Sequence, residues 1–329
     1  MDAADGARLA LEQAGNRAGE LEVVAEVLDD AGESVRWDPV AVGDNARTAS
    51  QDSSTAAYIG ELESEPTRAS APITNEAGIV QISPGAGGVD LTRAAEGYPD
   101  SPDRYRPSGE VSFARVVAAD DVVAEAAAEL ASERGSRRAI AVSGGDAFGD
   151  LSAGEFTRAA EGAGIEVVAE GDADTIFYGG AAEGVKQLQR ATATANERLV
   201  LATDAFAPEL ASLPIAGERL FTAAALAPER LPDGEFAAIF REGYARDPGP
   251  YAAYGYEAME LALLGIERAE GAGEFRPAVR DAVLGAERED SILGPYSITD
   301  DGDTTLCAVQ RYRVEGVATV AENAPCAGG

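Results

Sequence analysis

The sequence has 329 residues, 45% of them apolar, enough for a hydrophobic core shared between two lobes of ordinary size. It carries 58 Asp and Glu against 26 Lys and Arg, a net charge of -32 with Lys186 as its single lysine, so it repels nucleic acid and anionic membranes. Histidine is absent, which excludes Ser-His-Asp and Cys-His catalysis and every His-containing zinc site.

Carboxylate chemistry stays open, and the acidity suits an extracellular, a thermophilic or a salt-adapted protein alike. Met1 opens directly onto Asp2 and a helical pattern, so no signal segment or transmembrane run is read in the sequence.

Strand and helix patterns alternate along the chain. Residues 3–15 read as a helix with Ala7, Ala10, Leu11 and Ala14 on one side. Leu21 to Leu28 reads as a strand ending at Asp29-Asp30, followed by a helix near 45–51 and a short strand at 56–60. The next helix starts after Ser64 with Pro66 in its first turn. Ile79 to Ile82 is a strand broken by Ser83-Pro84-Gly85, and residues 87–110 read as an irregular excursion rich in Gly, Pro, Asp and Tyr. Phe113 to Val117 is a strand. Beyond residue 118 the pattern gives a helix at 121–134, a strand at 139–142, a helix at 151–163 and strands at 165–168 and 175–178. A helix at 182–192 and strands at 199–202 and 220–225 follow. Helices at 234–245, 252–269 and 275–285 precede a strand through Val309 to Val314.

Such repeated strand–helix units predict an α/β protein with mainly parallel sheets covered by helices on both faces. Ligands of such sheets lie beyond the C-terminal strand ends, here 60–64, 83–87, 144–148, 179–181 and 203–206. These ends are small or acidic, and no GxGxxG or P-loop occurs. Asp300, Asp301 and Asp303 read as a solvated turn without the full calcium-loop pattern. Tyr251, Tyr254 and Tyr256 read as packing and capping residues. Cys307 and Cys326 are either two separate buried thiols or a disulfide fastening the tail, the latter implying an oxidising compartment.

Two junctions depart from an ordinary α/β pattern. Strands 165–168 and 175–178 are separated by too few residues for a parallel crossover, so they either pair antiparallel or lack a connecting helix. The first helix also has no strand before it.

The run Ala57-Tyr58-Ile59-Gly60-Glu61-Leu62-Glu63-Ser64 through Asn75-Glu76-Ala77-Gly78-Ile79-Val80-Gln81-Ile82-Ser83-Pro84-Gly85 resembles the branched-chain amino acid (Leu/Ile/Val-type) binding proteins of ABC transporters. Leu28-Asp29-Asp30, Tyr105 to Gly109 with Phe113 to Val117, Thr175 to Gly180, and Ile292 to Tyr296 agree in order and spacing. The resemblance implies a type I periplasmic-binding-protein fold, two Rossmann-like lobes joined by three crossovers, here lacking the first strand and one helix of the second lobe. Lobe one would hold 1–117 and 225–298, and lobe two 118–224 and 299–329. It further implies a protein outside the cytoplasm, its signal segment absent, that closes over a small zwitterionic solute and delivers it to permease subunits. A monomer without cofactor or metal is expected.

Carried over by the resemblance, Ser64 binds the solute carboxylate, Gly85 and Gly87 offer backbone groups, and Asp204 meets the ammonium. Phe148 and Ala181 stand where the family often has tyrosines. The residues themselves leave duller roles open: Ser64 as a helix cap, the glycines as turn residues, Asp204 as a solvated carboxylate and Phe148 as core. Glu61, Glu63 and Glu65 are expected to face water. The competing functions are a ligand-sensing domain on the same fold and, with no convincing carboxylate pair or metal cluster, an enzyme.

Overall fold

The computed structural model describes residues 2–31, 37–180, 185–192, 199–203, 217–315 and 318–322. The chain passes three times between two compact units: Met1–Ala119 with Ala225–Leu306, and Asp120–Ala224 with Cys307–Gly329. Residues 299–306, expected in the second lobe, therefore belong to the first unit, as do Ala118 and Ala119. Buried polar contacts hold the segment there: Arg115 Nε and Arg93 Nε donate to the two Asp303 carboxylate oxygens at 2.7 and 2.9 Å.

In unit 1, β1 (Arg17–Ala18) and β2 (Leu21–Glu22) form a small antiparallel ribbon. The main sheet is parallel, in the order β3 (Ala57–Ile59), β4 (Val80–Ser83), β5 (Phe113–Arg115). All four β4 residues are buried, as an apolar central strand covered on both faces should be. Its one large polar residue, Gln81, is fully satisfied: it donates to Gly60 O and Ser70 Oγ and accepts from Thr74 Oγ1. Helix α1 (Asp2–Gln13) crosses the helix Ala252–Arg268 with backbones nearly touching. A Cβ on Gly6 would sit 1.9 Å from Ala252 O, and one on Gly255 would sit 1.9 Å from Ala3 O, so only glycine fits either position. Helix α2 (Pro39–Gln51) starts earlier than expected because Asp38 caps it, accepting from the Val40 and Ala41 amides, with Pro39 opening the helix.

The expected strand from Leu21 to Leu28 is paired only at Leu21–Glu22. Beyond it the backbone carries no ladder, and Val24 is 83% exposed. An alternating apolar run becomes a strand only beside a partner, and no described strand lies alongside residues 23–28 or along the outer edge of β3.

Unit 2 is one sheet in the order β14-β13-β10-β9-β8-β6-β7, comprising β6 (Arg138–Ser143), β7 (Glu166–Val167), β8 (Thr175–Gly179), β9 (Leu199–Thr203), β10 (Glu218–Ala223), β13 (Gln310–Glu315) and β14 (Ala318–Glu322). The ribbon of β11 (Glu287–Arg288) and β12 (Tyr296–Ser297) belongs to unit 1. Strands β6 to β10 are parallel, while β13 and β14 run antiparallel at the edge. Alternate residues fill two cores. Phe177, Leu199 and Leu220 pack with helices α4 (Asp120–Glu133) and α5 (Ala147–Gly162), while Ile176, Tyr178, Val200 and Phe221 face the other side. Phe156 of α5 stacks on Phe177 with ring centroids 4.2 Å apart.

Of the two expectations for the short junction, the antiparallel pairing is not found, while the residues between the strands do lack a helix. β7 and β8 do not pair with each other at all; both lie parallel to β6, one on each side. Because β7 is only two residues long, it ends at the level of Ala139, where β8 begins. Residues 168–174 contain no helix and pass beneath the start of β6. Asp174 accepts there from Ser136 Oγ and the Arg137 amide, and Arg138 Nη1 donates to Asp172 O. The geometric need for a long return applies to full-length strands, and truncating one removes it.

Candidate functional site

Adjacent parallel strands end on the same side of a sheet, so β3 and β4 bring two loops together at their C-terminal ends. The first, Gly60–Glu63, leads into helix α3 (Ser64–Glu76); the second, 84–88, leads into the turn Val89–Leu91. They are tied together at three places. Ser83 Oγ donates to Glu61 O at 2.6 Å, Ser64 Oγ accepts the Gly88 N–H at 2.8 Å, and Gly85 packs on Leu62. Three expected site residues, Ser64, Gly85 and Gly87, thus meet at one corner of unit 1.

Their roles separate in the structure. Ser64 is not the helix cap: Glu63 occupies that position and makes no side-chain capping bond. The Ser64 oxygen instead receives Gly88, which leaves the hydroxyl hydrogen and the first-turn amides of α3 as donors. Gly85 is glycine for space rather than for its dihedral, since a Cβ would lie 2.5 Å from Leu62 O. Its N–H and that of Ala86 are both spent on Ser83 Oγ, at 3.2 and 2.8 Å. Gly87 is buried, and no described residue accepts its N–H.

Two buried ion-pair networks, neither read in the sequence, hold these loops. Arg68, one turn after Ser64, donates to both Asp90 oxygens at 2.8 and 2.6 Å and lies over the Tyr98 ring. Tyr105 donates to the same carboxylate at 2.6 Å. Burial opposes the Arg68 charge, but its hydrogen bonds to Asp90 and that residue's charge outweigh it and raise the pKa above the ordinary guanidinium range. Arg115, fully buried at the end of β5, donates to Asp303, Ala86 O, Gly88 O and Thr92 Oγ1. Asp303 is consequently no solvated turn. Burial works to raise its pKa, but the charges of Arg115 and Arg93 prevail and lower it. The visible sign of the second network was an arginine at the end of the apolar strand Phe113–Arg115.

The acidic trio also departs from expectation. Glu61 is buried, only 6% exposed, and accepts from the Tyr58 hydroxyl at 2.7 Å. Burial raises its pKa, partly offset by that hydrogen bond. Glu65 is exposed and pairs with Arg68, while Glu63 is half-buried.

In unit 2, β6 ends in a loop built by the same device. Ser143 Oγ accepts the Gly145 N–H at 2.9 Å and donates to Asp150, and Asp146 caps α5 by accepting from Gly149. Phe148 lies in the first turn of α5, 36% exposed, so it is not a core residue. Ala181, Asp204 and Cys326 lie outside the described residues. Cys307 is not a free thiol. Tyr254 is buried and its hydroxyl accepts the Leu226 amide, whereas Tyr256 bonds Gln13. Among the described residues no His, Cys, Asp and Glu cluster is arranged to hold a metal, and no helix is long and apolar enough to cross a membrane.

Comparison with known proteins gives structural likeness only. No family model and no curated protein matches the chain. Among solved structures, an ABC transporter substrate-binding protein from Desulfitobacterium hafniense in complex with Leu is similar at a TM-score of 0.76 and 22% identity, over 97% of this chain and 95% of the other. A leucine binding protein from Thermotoga maritima follows at 0.75 and 21%, over 97% and 92%. A solute binding protein of an ABC transporter from R. palustris in complex with benzoate gives 0.71 and 17%, over 97% and 90%. The chain has the type I periplasmic-binding-protein fold of these structures.

Proposed function

We propose that this protein binds a small carboxylate-bearing solute, an amino acid or close relative, without altering it, and hands it to the permease of an ABC importer outside the cytoplasm. The observation that carries this is the corner of unit 1 where Ser64 and Gly87 keep unspent donors while the neighbouring amides are satisfied internally. Hydroxyl and amide donors without a competing acceptor suit a carboxylate. The fold supports a binding role, since the similar structures are substrate-binding proteins and two of them hold Leu or benzoate. Asp204 is assigned to the ammonium and Phe148 to the apolar part of the solute, with Ala181 leaving space for a larger one.

Calorimetry against the L-amino acids, benzoate and neutral sugars tests the proposal. Binding of an amino acid with a stoichiometry of one is expected, and Asp204→Ala is expected to weaken it by about 2–5 kcal/mol, well over tenfold, as a charge loses its partner. Binding of neutral sugars alone, or an unchanged Asp204→Ala affinity, would refute it.

A further inference from the structure

Arg115 has no place among the expected ligand contacts, yet its environment is built to a single end. It is a guanidinium with no exposed surface and one ionic partner, Asp303, at 2.7 Å from Nε. Nη2 donates to Thr92 Oγ1 at 2.6 Å. Nη1 donates to two carbonyls of the 84–88 loop, Ala86 O at 2.9 Å and Gly88 O at 3.0 Å. A rigid planar fork reaching three acceptor groups and a carboxylate fixes the direction of each, which a lysine ammonium on a flexible stem does not.

The consequence falls on Gly87. The Ala86–Gly87 peptide is trans, since the two cis bonds of the described chain are Gly60–Glu61 and Ser101–Pro102. In a planar trans peptide the C=O and N–H point in opposite directions. Turning the Ala86 carbonyl onto Arg115 therefore turns the Gly87 N–H away from it. The surrounding amides are consumed, Gly85 and Ala86 by Ser83 and Gly88 by Ser64, so among the described residues the Gly87 N–H is the one amide of residues 85–88 without an acceptor. A backing cation also favours an anion in front of the loop.

We infer that Arg115, locked by Asp303 and Thr92, is the positioning residue of the carboxylate site: it aims the Gly87 N–H at the solute without touching it. Asp303 lies in the segment that precedes Leu306, where the chain leaves unit 1, so a residue remote in sequence takes part in the site. The inference rests on the carboxylate-binding function proposed above.

The test uses the full chain as wild type, Arg115→Lys and Thr92→Val. The probe is whichever carboxylate of the L-amino acid and benzoate panel the wild type binds most tightly. Calorimetry gives the affinity, and the Gly87 amide resonance is followed through a titration by nuclear magnetic resonance. In the wild type, saturation is expected to move the Gly87 amide proton downfield. Arg115→Lys is expected to lose that shift and bind about tenfold or more weakly, the scale of a hydrogen bond to a charged group, while still unfolding cooperatively. Thr92→Val, which keeps the ion pair, is expected to weaken binding about threefold and carries the test if Arg115→Lys does not fold. If the wild type binds a carboxylate and the folded variants bind it within twofold or keep the Gly87 shift, the positioning role is wrong and the proposed function stands. If the wild type binds no carboxylate of the panel, the proposed function falls and the positioning role falls with it.

Discussion

Replacing Gly85 by alanine probes the packing of the two loops directly. The added Cβ would lie 2.5 Å from Leu62 O and 2.7 Å from Leu62 Cδ1. The side chain of Leu62 is 39% exposed and can swing aside, but its carbonyl cannot. It sits between Glu61, whose carbonyl accepts from Ser83, and Ser64, which accepts from Gly88. Relief therefore requires the loops to part by about 0.5 Å, from 2.5 Å to the 3.0 Å below which real Cβ contacts essentially never fall. That movement stretches both ties at once. Overpacking of this kind costs about 1–3 kcal/mol. For a unit of this size each kcal/mol lowers the melting temperature by about 2–4 °C, so a fall of about 2–12 °C is expected in a thermal scan followed by circular dichroism. Affinity for the carboxylate probe should fall about tenfold, because the Gly87 donor moves with the loop. Gly78→Ala is the control. Gly78 has φ +69° and nothing within 4 Å of its Cβ position, so only the left-handed backbone cost of about 1–2 kcal/mol applies and binding should not change. A Gly85→Ala protein that melts and binds like the wild type would refute the packing argument.

Two further outcomes follow from charge. Burial lifts the Glu61 pKa above the ordinary glutamate value of 4.5, so the folded chain holds a proton that the unfolded chain has released. Stability is then lost as pH rises through that window, and Glu61→Gln should be more stable than the wild type at about pH 8, with the advantage vanishing toward about pH 4; a destabilised Glu61→Gln at pH 8 would contradict this. The net charge of -32 predicts self-repulsion that salt relieves. Raising NaCl from about 0.1 to 1 M, which shortens the screening length from about 10 to 3 Å, should raise the melting temperature by several degrees, and a fall would count against it.

What the sequence disclosed was whatever local chemistry determines. Short runs rich in β-branched and aromatic residues, such as Ile79 to Ile82 and Thr175 to Tyr178, announced strands, and Pro66 after Ser64 announced a helix start. Lengths set by tertiary partners were not legible. Leu21 to Leu28 has the alternation of a strand but only two residues of it find a partner, and β7 pairs only with Arg138 and Ala139 of β6. Of the candidate site, the resemblance pointed to Ser64, Gly85 and Gly87, which lie close in sequence on two neighbouring loops. Arg115 and Asp303 were not legible, being 188 positions apart and meaningful only as a pair. Asp303 has the composition of a solvated turn, and its burial depends wholly on the cations that meet it.

The two serine–glycine loops share a construction but differ in charge, and the difference bears on the solute. Ser83 and Ser143 each end a parallel strand and accept the amide two residues on. Behind the first loop stands Arg115, and its leftover groups are donors. Around the second stand Asp146 and Asp150, both exposed, and the Gly149 amide at the start of α5 is already taken by Asp146. The first loop therefore favours an anion and the second a cation. Under the proposed function, in which Asp204 meets the ammonium, a zwitterion gains a charged partner that benzoate lacks. An L-amino acid should accordingly bind at least about tenfold more tightly than an aromatic carboxylate of similar size, the scale of one charge-assisted hydrogen bond. Tighter binding of benzoate than of every amino acid in the same titration series would show that no partner for the ammonium contributes to binding.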